Sequence, residues 1–431
     1  METKLERIAE ISANTRKPKF TSLYHHINEE MLKQCHKELD GNKAVGIDRV
    51  TKHEYGANLE ENISGLVIRL KNKSYKPLPV LRVFISKSNG KMRPLGIAAY
   101  EDKLVQLAIK KILEAIYEPR FLDNMYGFRP KRGCHNAIKA AYDRIYQDKI
   151  NYIVDADIKG FFDNMSHEWI MKFLGVYISD PNFLWLINKY LKAGVMTDGI
   201  LEDNISGSAQ GSIISPVIAN VYMHNVLMLW YKFIVLNGIK GRSFLVAYAD
   251  DFIAGFQYKW EAEKYYIELK KRMAKFNLEL EDSKSRLIEF GRFAKGNRKA
   301  RGEGKPETFD FLGFTFYCGR SRRGYPCTML KTSRKKFRQK LKDTKKWLYE
   351  NRTMPVKLLI KSLNLKLIGH YRYYGISFNG KMITNFLHRV QQFLFKNLNR
   401  RSDKKSYSWD GFIEMLKYYP LAKPKIYYRL F

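Results

Sequence analysis

Two carboxylates stand side by side at Asp250 and Asp251, in the run Tyr248-Ala249-Asp250-Asp251 between the apolar stretches FLVAY and FIAGF. Two acids in a turn are most often solvated surface, but these flanks read as buried. Adjacent acids held there repel each other and lose hydration. A divalent cation removes both costs, and magnesium takes carboxylates together with substrate phosphates. A second acidic group has the same setting. Asp155 and Asp157 alternate along YIVDADI, so on a strand both side chains share one face. If Asp157 faces Asp250, the set could hold two ions about 4 Å apart, the arrangement that activates an attacking oxygen and stabilises a leaving one in phosphoryl transfer. A structural hydrogen bond or salt bridge is the plainer expectation for Asp155, and a cap on the following turn for Asp163.

Strands must hold these acids. SFLVAYADDFIAGF at 243–256 reads as two strands around a polar tip, and NYIVDADIKGFF at 151–162 as a buried strand with an acidic mouth. Residues 80–97 read as two short strands joined at Ser88-Asn89-Gly90, Asn-Gly being a strong hairpin signal. Helical spacing marks three stretches before residue 75, with GNKAVGIDRVT as a loop between two of them. It also marks 102–118, which Pro119 stops, SHEWIMKFLG with Ser166 as N-cap, and EAEKYYIELKKRMAKFNLEL. Residues 211–235 are expected as one long apolar helix, GNRKARGEGKPET as a polar loop, and FDFLGFTFYCG as an apolar hairpin strand. Three helical stretches follow, at 333–350, about 356–373 and 381–400.

Composition sets the limits. With 431 residues a single small domain is excluded, and 45% hydrophobic and 14% aromatic residues exclude wholesale disorder. No 18-residue apolar run offers a membrane span, and METKLERIAE carries no apolar signal segment. Cys35, Cys134, Cys318 and Cys327 are too scattered for a disulfide framework or a zinc knot, so reduced thiols in a cytosolic protein are expected. The 77 Lys+Arg against 43 Asp+Glu, a net charge of +34, favour a polyanion partner, most often nucleic acid. From Lys284 to Lys346 there are 20 basic residues against 5 acidic ones. Arg286, Arg292, Arg298, Lys299 and Arg301 are candidates for phosphate contact, as are Arg322, Arg323 and the cluster Arg334, Lys335, Lys336 and Arg338. Tyr371, Tyr373 and Tyr374 either stack on bases or pack a helical core.

The order of motifs resembles the reverse transcriptases encoded by group II introns, also called maturases. RVFISKSNGKMRPLGIAAYEDKLVQLAI resembles their fingers segment. MYGFRPKRGCHNAI, VDADIKGFFDNMSHEWI, GSAQGSIISPVIANVYMHNV, YADD and FDFLGFTF follow in the family's order. GNKAVGIDRVT looks like the opening motif, and GHYRYYGI is similar to the thumb of one branch. The resemblance implies an α+β right-hand polymerase: an N-terminal extension and start of the fingers at 1–75, fingers and palm at 76–320 with an antiparallel sheet flanked by helices, and an α-helical thumb or maturase domain at 321–431.

The resemblance also implies roles, residue by residue. Asp157 and Asp250 would bind the metal, with Asp251 as the third carboxylate and the Ile158 carbonyl as a further ligand. The cofactor would be two Mg2+ ions, with Mn2+ as a substitute. Phe162 would lie under the nucleotide sugar and block a 2′-hydroxyl. Lys87 and Arg93 would hold the triphosphate, and Gln210 would lie beside the incoming nucleotide, with Gly211 allowing close backbone approach. The partners would be an RNA template, a DNA or RNA primer, dNTPs, structured intron RNA and target DNA, in a bacterial cytoplasm and away from membranes. The family's usual proline before Gln-Gly is Ala209 here, which removes a φ constraint. No HNH-type endonuclease is expected after the thumb. A domesticated or CRISPR- or defence-associated reverse transcriptase, a mainly non-enzymatic splicing factor, and an RNA-dependent RNA polymerase are the alternatives; Phe162 argues against the last.

Overall fold

The computed structural model describes residues 2–86, 92–197, 200–202, 207, 211–401 and 407–431. Helices α1 (Glu2–Asn14), α2 (Glu29–Glu38), α3 (Lys52–Ala57) and α4 (Leu59–Lys71) come first. Asn28 starts α2 by accepting from the Met31 amide, and Thr51 with Glu54 forms a reciprocal capping box at α3. β1 (Val80–Ser86) and β2 (Met92–Ile97) pair antiparallel with Ser86 opposite Met92. The Asn89-Gly90 turn expected between them lies outside the described residues.

After α5 (Tyr100–Tyr117) and α6 (Cys134–Gln147) comes β3 (Tyr152–Asp157), followed by α7 (Phe161–Asn164), α8 (His167–Leu174) and α9 (Pro181–Leu191). Ser166 caps α8, its hydroxyl accepting from the Trp169 amide as its position implies. β4 (Val195–Thr197) and β5 (Ile200–Glu202) extend the first sheet in the order β2-β1-β4-β5.

The stretch 211–235 departs from the single α-helix expected of it. It starts as α10 (Ser215–Met223) and continues through two π-helical turns, His224–Met228 and Tyr231–Val235. A π turn inserts a residue and rotates the helix face. Here Val226, Leu227 and Met228 stay buried while Phe233 and Ile234 turn outward. An almost wholly apolar segment has no polar stripe to signal such a rotation.

β6 (Ser243–Tyr248), β7 (Asp251–Phe256), α11 (Lys259–Lys275) and β8 (Arg286–Glu289) complete a second, wholly antiparallel sheet in the order β6-β7-β3-β8. α12 (Ala294–Ala300) takes up the first part of the expected polar loop. Ion pairs of Arg298 with Glu303, and of Arg301 with Glu289 and Glu303, gather that segment. β9 (Phe309–Phe311), β10 (Phe314–Arg320) and β11 (Pro326–Thr332) form a third sheet. Helices α13 (Arg334–Glu350), α14 (Val356–Tyr374), α15 (Gly380–Leu398) and α16 (Trp409–Tyr418) end the chain. This is the α+β arrangement expected, with antiparallel sheets among helices and then a helical region. No described helix is long and apolar enough to cross a membrane.

Two cores explain why the strands of the second sheet read as unbroken apolar runs. Val154, Ala156, Phe252 and Ala254 face one core, shared with the N-terminal helices, α5 and α8–α11. Ile153, Val246, Ile253 and Ile288 face the other, shared with α6, the third sheet and α14–α16. Both faces are covered, so alternation disappears.

An unpartnered imidazole is packed at the second core. His370 stacks on Phe386 at 3.8 Å, and neither ring nitrogen has a hydrogen-bond partner. Burial, with the charge of Lys340 added, lowers its pKa from 6.5 to about 3. The unfolded chain therefore binds a proton that the folded one refuses, and stability falls as pH drops below about 6.5 toward 3. His370→Phe keeps the stack and removes the proton site. Its melting temperature is expected to exceed that of the wild type by a margin that widens from pH 7 to pH 4.5 in a pH series of thermal melts. A constant margin would contradict this.

Candidate active site

The pairing of β3 with β7 brings the acids together. Asp157 lies directly opposite Asp251, and Asp155 opposite Ile253. Alternation puts Ile153, Asp155 and Asp157 on one face, the face of the second core. The acids thus stand where that core opens. Asp250 belongs to the two-residue turn between β6 and β7, across which Tyr248 pairs with Asp251.

That turn needs support, because Ala249 has φ +56°. A left-handed non-glycine residue costs about 1–2 kcal/mol. The loop before α6 supplies the support. The Tyr126 amide donates to the Ala247 carbonyl and the Ala247 amide to the Asn124 carbonyl, each at 2.9 Å. Gly127 lies directly beneath: a Cβ there would be 2.3 Å from the Ala249 nitrogen. Buried Asn220, on α10, fixes Gly127 by donating to its carbonyl at 2.9 Å.

The electrostatics are those of crowded acids. Burial, more than any neighbour, pushes Asp251 up to about 7, and the charges of Asp155 and Asp250 add to it. Asp155 rises to about 6, again chiefly through burial, even with the Arg286 guanidinium 3.6 Å away. This is the salt bridge expected for Asp155. Asp250 is raised by burial and by Asp157, against the opposing charges of Arg93 and Lys284. The Lys284 ammonium pairs directly with Asp157 and is itself raised by that contact. Among the described residues, no three His, Cys, Asp or Glu side chains converge as a ready-made metal cluster. The donor chemistry still fits a hard divalent cation, since the acids that repel one another are all oxygen donors and one already draws an ammonium.

The other expected site residues are placed unevenly. Lys87 and Gln210 lie outside the described residues. Arg93 is exposed on β2, and its charge reaches Asp250. Ile158 follows β3 and bridges to Leu280. Phe162 sits in α7, edge-on to Phe128 at 6.4 Å, and Phe128 in turn stands 6.5 Å from Tyr248. Gly211 has φ +108°, and a Cβ there would lie 2.6 Å from the Gly96 carbonyl. Asp163 lies within α7.

Asp251 also forms part of a cleft of about 720 Å3 toward the C-terminal helices, lined by Gly313, Lys336, Lys340, Lys366 and Tyr373. Lys336 and Lys340 make no ion pair among the described residues. Of the expected phosphate contacts, Lys336 among them, four are engaged by groups of the same chain. Arg286 pairs with Asp155, Arg292 donates to the Tyr146 carbonyl, and Arg298 and Arg301 pair with acids. The tyrosines resolve toward packing. Tyr371 and Tyr374 are buried in the second core, and the Tyr373 hydroxyl donates to the Leu312 carbonyl at 2.9 Å.

Sequence reasoning gave no role to Gly127, Asn220, Lys284 or Gln106. Gln106 is the one polar side chain buried in mid-α5; its Oε1 accepts from the Ser212 hydroxyl at 2.9 Å and the Ile213 amide at 3.0 Å, anchoring the segment after Gly211. A glutamine on the apolar face of helix 102–118 was the available signal. Lys284 offered none, since it opens a long basic run.

Comparison with known proteins supports the same reading. Residues 85–316 match the family described as reverse transcriptase (RNA-dependent DNA polymerase). The group II intron-encoded protein LtrA of Lactococcus lactis subsp. cremoris is 38% identical over 235 residues, 53% of this chain and 39% of that protein. Protein YkfC of Escherichia coli is 36% identical over 187 residues, 43% of this chain and 49% of that one. The putative COX1/OXI3 intron 1 protein of Saccharomyces cerevisiae is 35% identical over 150 residues, 35% and 18% of the two chains. The matched stretch thus spans less than half of each relative. The family match covers more than half of this chain, and with it the acid-bearing β3–β7 pair: the chain belongs to the reverse transcriptase family and is related within it to group II intron-encoded proteins.

Proposed function

We propose that this chain is an RNA-directed DNA polymerase that adds dNTPs to a primer 3′-hydroxyl on an RNA template. The observation that carries the reading is the β3–β7 register, which sets Asp157 opposite Asp251 and beside Asp250. Asp157, Asp250 and the Ile158 carbonyl would hold two Mg2+ ions, with Mn2+ as a substitute and Asp251 in support. Magnesium, when bound, supplies charge stabilisation to the attacking and leaving oxygens. The protein's own residues do the placing. Arg93, with Lys87, would hold the triphosphate against the acids whose charge it already offsets. Gln210 and Gly211 would line the nucleotide, and Phe162 would exclude a 2′-hydroxyl by shape. Lys336 and Lys340 would grip the duplex through its phosphates. We place the division between palm and thumb at Ser333 rather than at 320/321, because β10 and β11 pair from Phe314–Thr332 to Arg320–Pro326 and belong to one sheet.

Incorporation on an oligo(dT)-primed RNA template tests the reading. dNTPs are expected to be used well above NTPs, and a preference for NTPs would overturn it. Phe162→Ala is expected to raise NTP use relative to dNTP use by roughly tenfold, since one lost steric contact is worth about that much.

A second, compatible reading is binding of a structured intron RNA to aid its splicing, together with recognition of target DNA. The net charge of +34 and the relatives named as intron-encoded favour it. Splicing of a flanking intron at low magnesium, unchanged by added protein, would count against it.

A further inference from the structure

One side chain on the last turn of α14 reaches both ends of the catalytic turn. The Tyr373 hydroxyl donates to the Leu312 carbonyl at 2.9 Å. Leu312 and Gly313 are the two connecting residues of the β9–β10 hairpin, with φ +48° and +80°. Positive φ at both positions is the form that matches strand twist in a two-residue hairpin, so this peptide is held rigidly. Leu312, Gly313 and Tyr373 line one cleft with Asp251, and the Leu312 backbone opposes the rise that burial gives the Asp251 carboxyl. The Leu312 peptide that Tyr373 holds thus lies beside the third acid.

A second path reaches the other end of the turn. The Cys134 thiol, at the first position of α6, interacts with both the Tyr373 and the Tyr248 hydroxyls and adds to the upward pKa shift that burial gives each. Tyr248 is the residue that pairs with Asp251 across the turn. His135, which follows Cys134, bonds the Tyr373 carbonyl through Nε2 at 2.7 Å and stacks on Tyr428 at 3.6 Å. The ring of Tyr373 also stacks on Phe314 at 5.9 Å. The backbone and ring of Tyr373 are thus fixed by packing, while its hydroxyl faces the two paths.

We propose that Tyr373 is a positioning residue that couples the placement of the C-terminal helices to the geometry of the Tyr248–Asp251 turn, through the Leu312 peptide on one side and the Cys134 thiol on the other. The inference rests on the polymerase reading given above. Duplex bound in the cleft touches the same helices, because Lys336, Lys340 and Tyr373 line it together with Asp251. A shift of α14 on binding would be transmitted to the acids at both ends of the turn.

Tyr373→Phe isolates the hydroxyl and leaves the ring stacks in place. At saturating primer–template and dNTP, kcat is expected to fall roughly tenfold or more while KM for dNTP stays within about twofold, because a misplaced acid affects the chemical step rather than nucleotide binding. Cys134→Ala should lower kcat in the same way and Cys134→Ser should restore most of it. The double variant Tyr373→Phe with Cys134→Ala should lose less than the product of the single losses. Hydrogen–deuterium exchange supplies a readout free of turnover: peptides covering 309–314 and 247–252 should exchange faster in Tyr373→Phe, with no change in the melting temperature. Unchanged exchange in those peptides overturns the coupling, as does wild-type kcat. If the wild type incorporates no dNTP while the exchange changes as expected, the coupling stands and the polymerase reading fails.

Discussion

Asp250→Ala is expected to slow dNTP incorporation roughly a thousandfold while raising the melting temperature. The first effect follows from losing a carboxylate that would hold a metal ion at the reacting oxygens, a contribution comparable to or larger than that of a single transition-state donor. The second follows from the crowding around it. Asp250 is raised by burial and by the charge of Asp157, and its own charge raises Asp251. Removing it relieves two unfavourable interactions in the protein without a cation, an effect of about 1 kcal/mol. Single-turnover incorporation and a thermal melt in EDTA measure the two. Normal incorporation would end the metal assignment, and a lower melting temperature would show that the acid serves the fold. Added Mg2+ should raise the wild-type melting temperature more than that of the variant, because only the wild type retains the full donor set.

Gly127→Ala is expected to cost about a hundredfold in incorporation although it touches no acid. A Cβ at this position would meet the Ala249 nitrogen at 2.3 Å and the Tyr248 carbonyl carbon at 2.9 Å. Both atoms are backbone, so no side chain can swing away. Either the 124–128 loop moves off β6, breaking its hydrogen bonds to Ala247, or the turn bearing Asp250 is displaced. Displacement of about 1 Å at a reacting group is enough for the stated loss, and overpacking of this kind destabilises by about 1–3 kcal/mol. The loop and the turn meet only through the fold, so the chemical denaturation midpoint and the incorporation rate should fall together. Full activity in Gly127→Ala would mean that the turn tolerates the shift.

Much of the site was legible in the residue order because its chemistry is local. Asp250-Asp251 between two apolar runs, and Asp155 and Asp157 alternating in a third, state their own problem: acids placed where strands are buried. The hairpin from Ser243 to Phe256 and the capping of α8 by Ser166 were legible for the same reason, since each depends on residues close in sequence. Gly211 could be read as a place of close backbone approach, but not that Gly96 was the neighbour.

What the chain order alone determined, then, was the set of acids, their placement on one strand and at the tip of a hairpin, and a basic, aromatic protein able to meet a polyanion. The tertiary structure decided which strand lies beside which. That choice set Asp157 against Asp251, delivered Lys284 to Asp157 from just before β8, and put Gly127 under Ala249. It also paired Arg286, Arg298 and Arg301 with acids of the same chain, and seated Tyr371 and Tyr374 in a core. The physical reason is range. Period, caps and turn residues act over a few positions, whereas strand pairing and side-chain packing are selected by the burial of surface contributed from hundreds of residues apart.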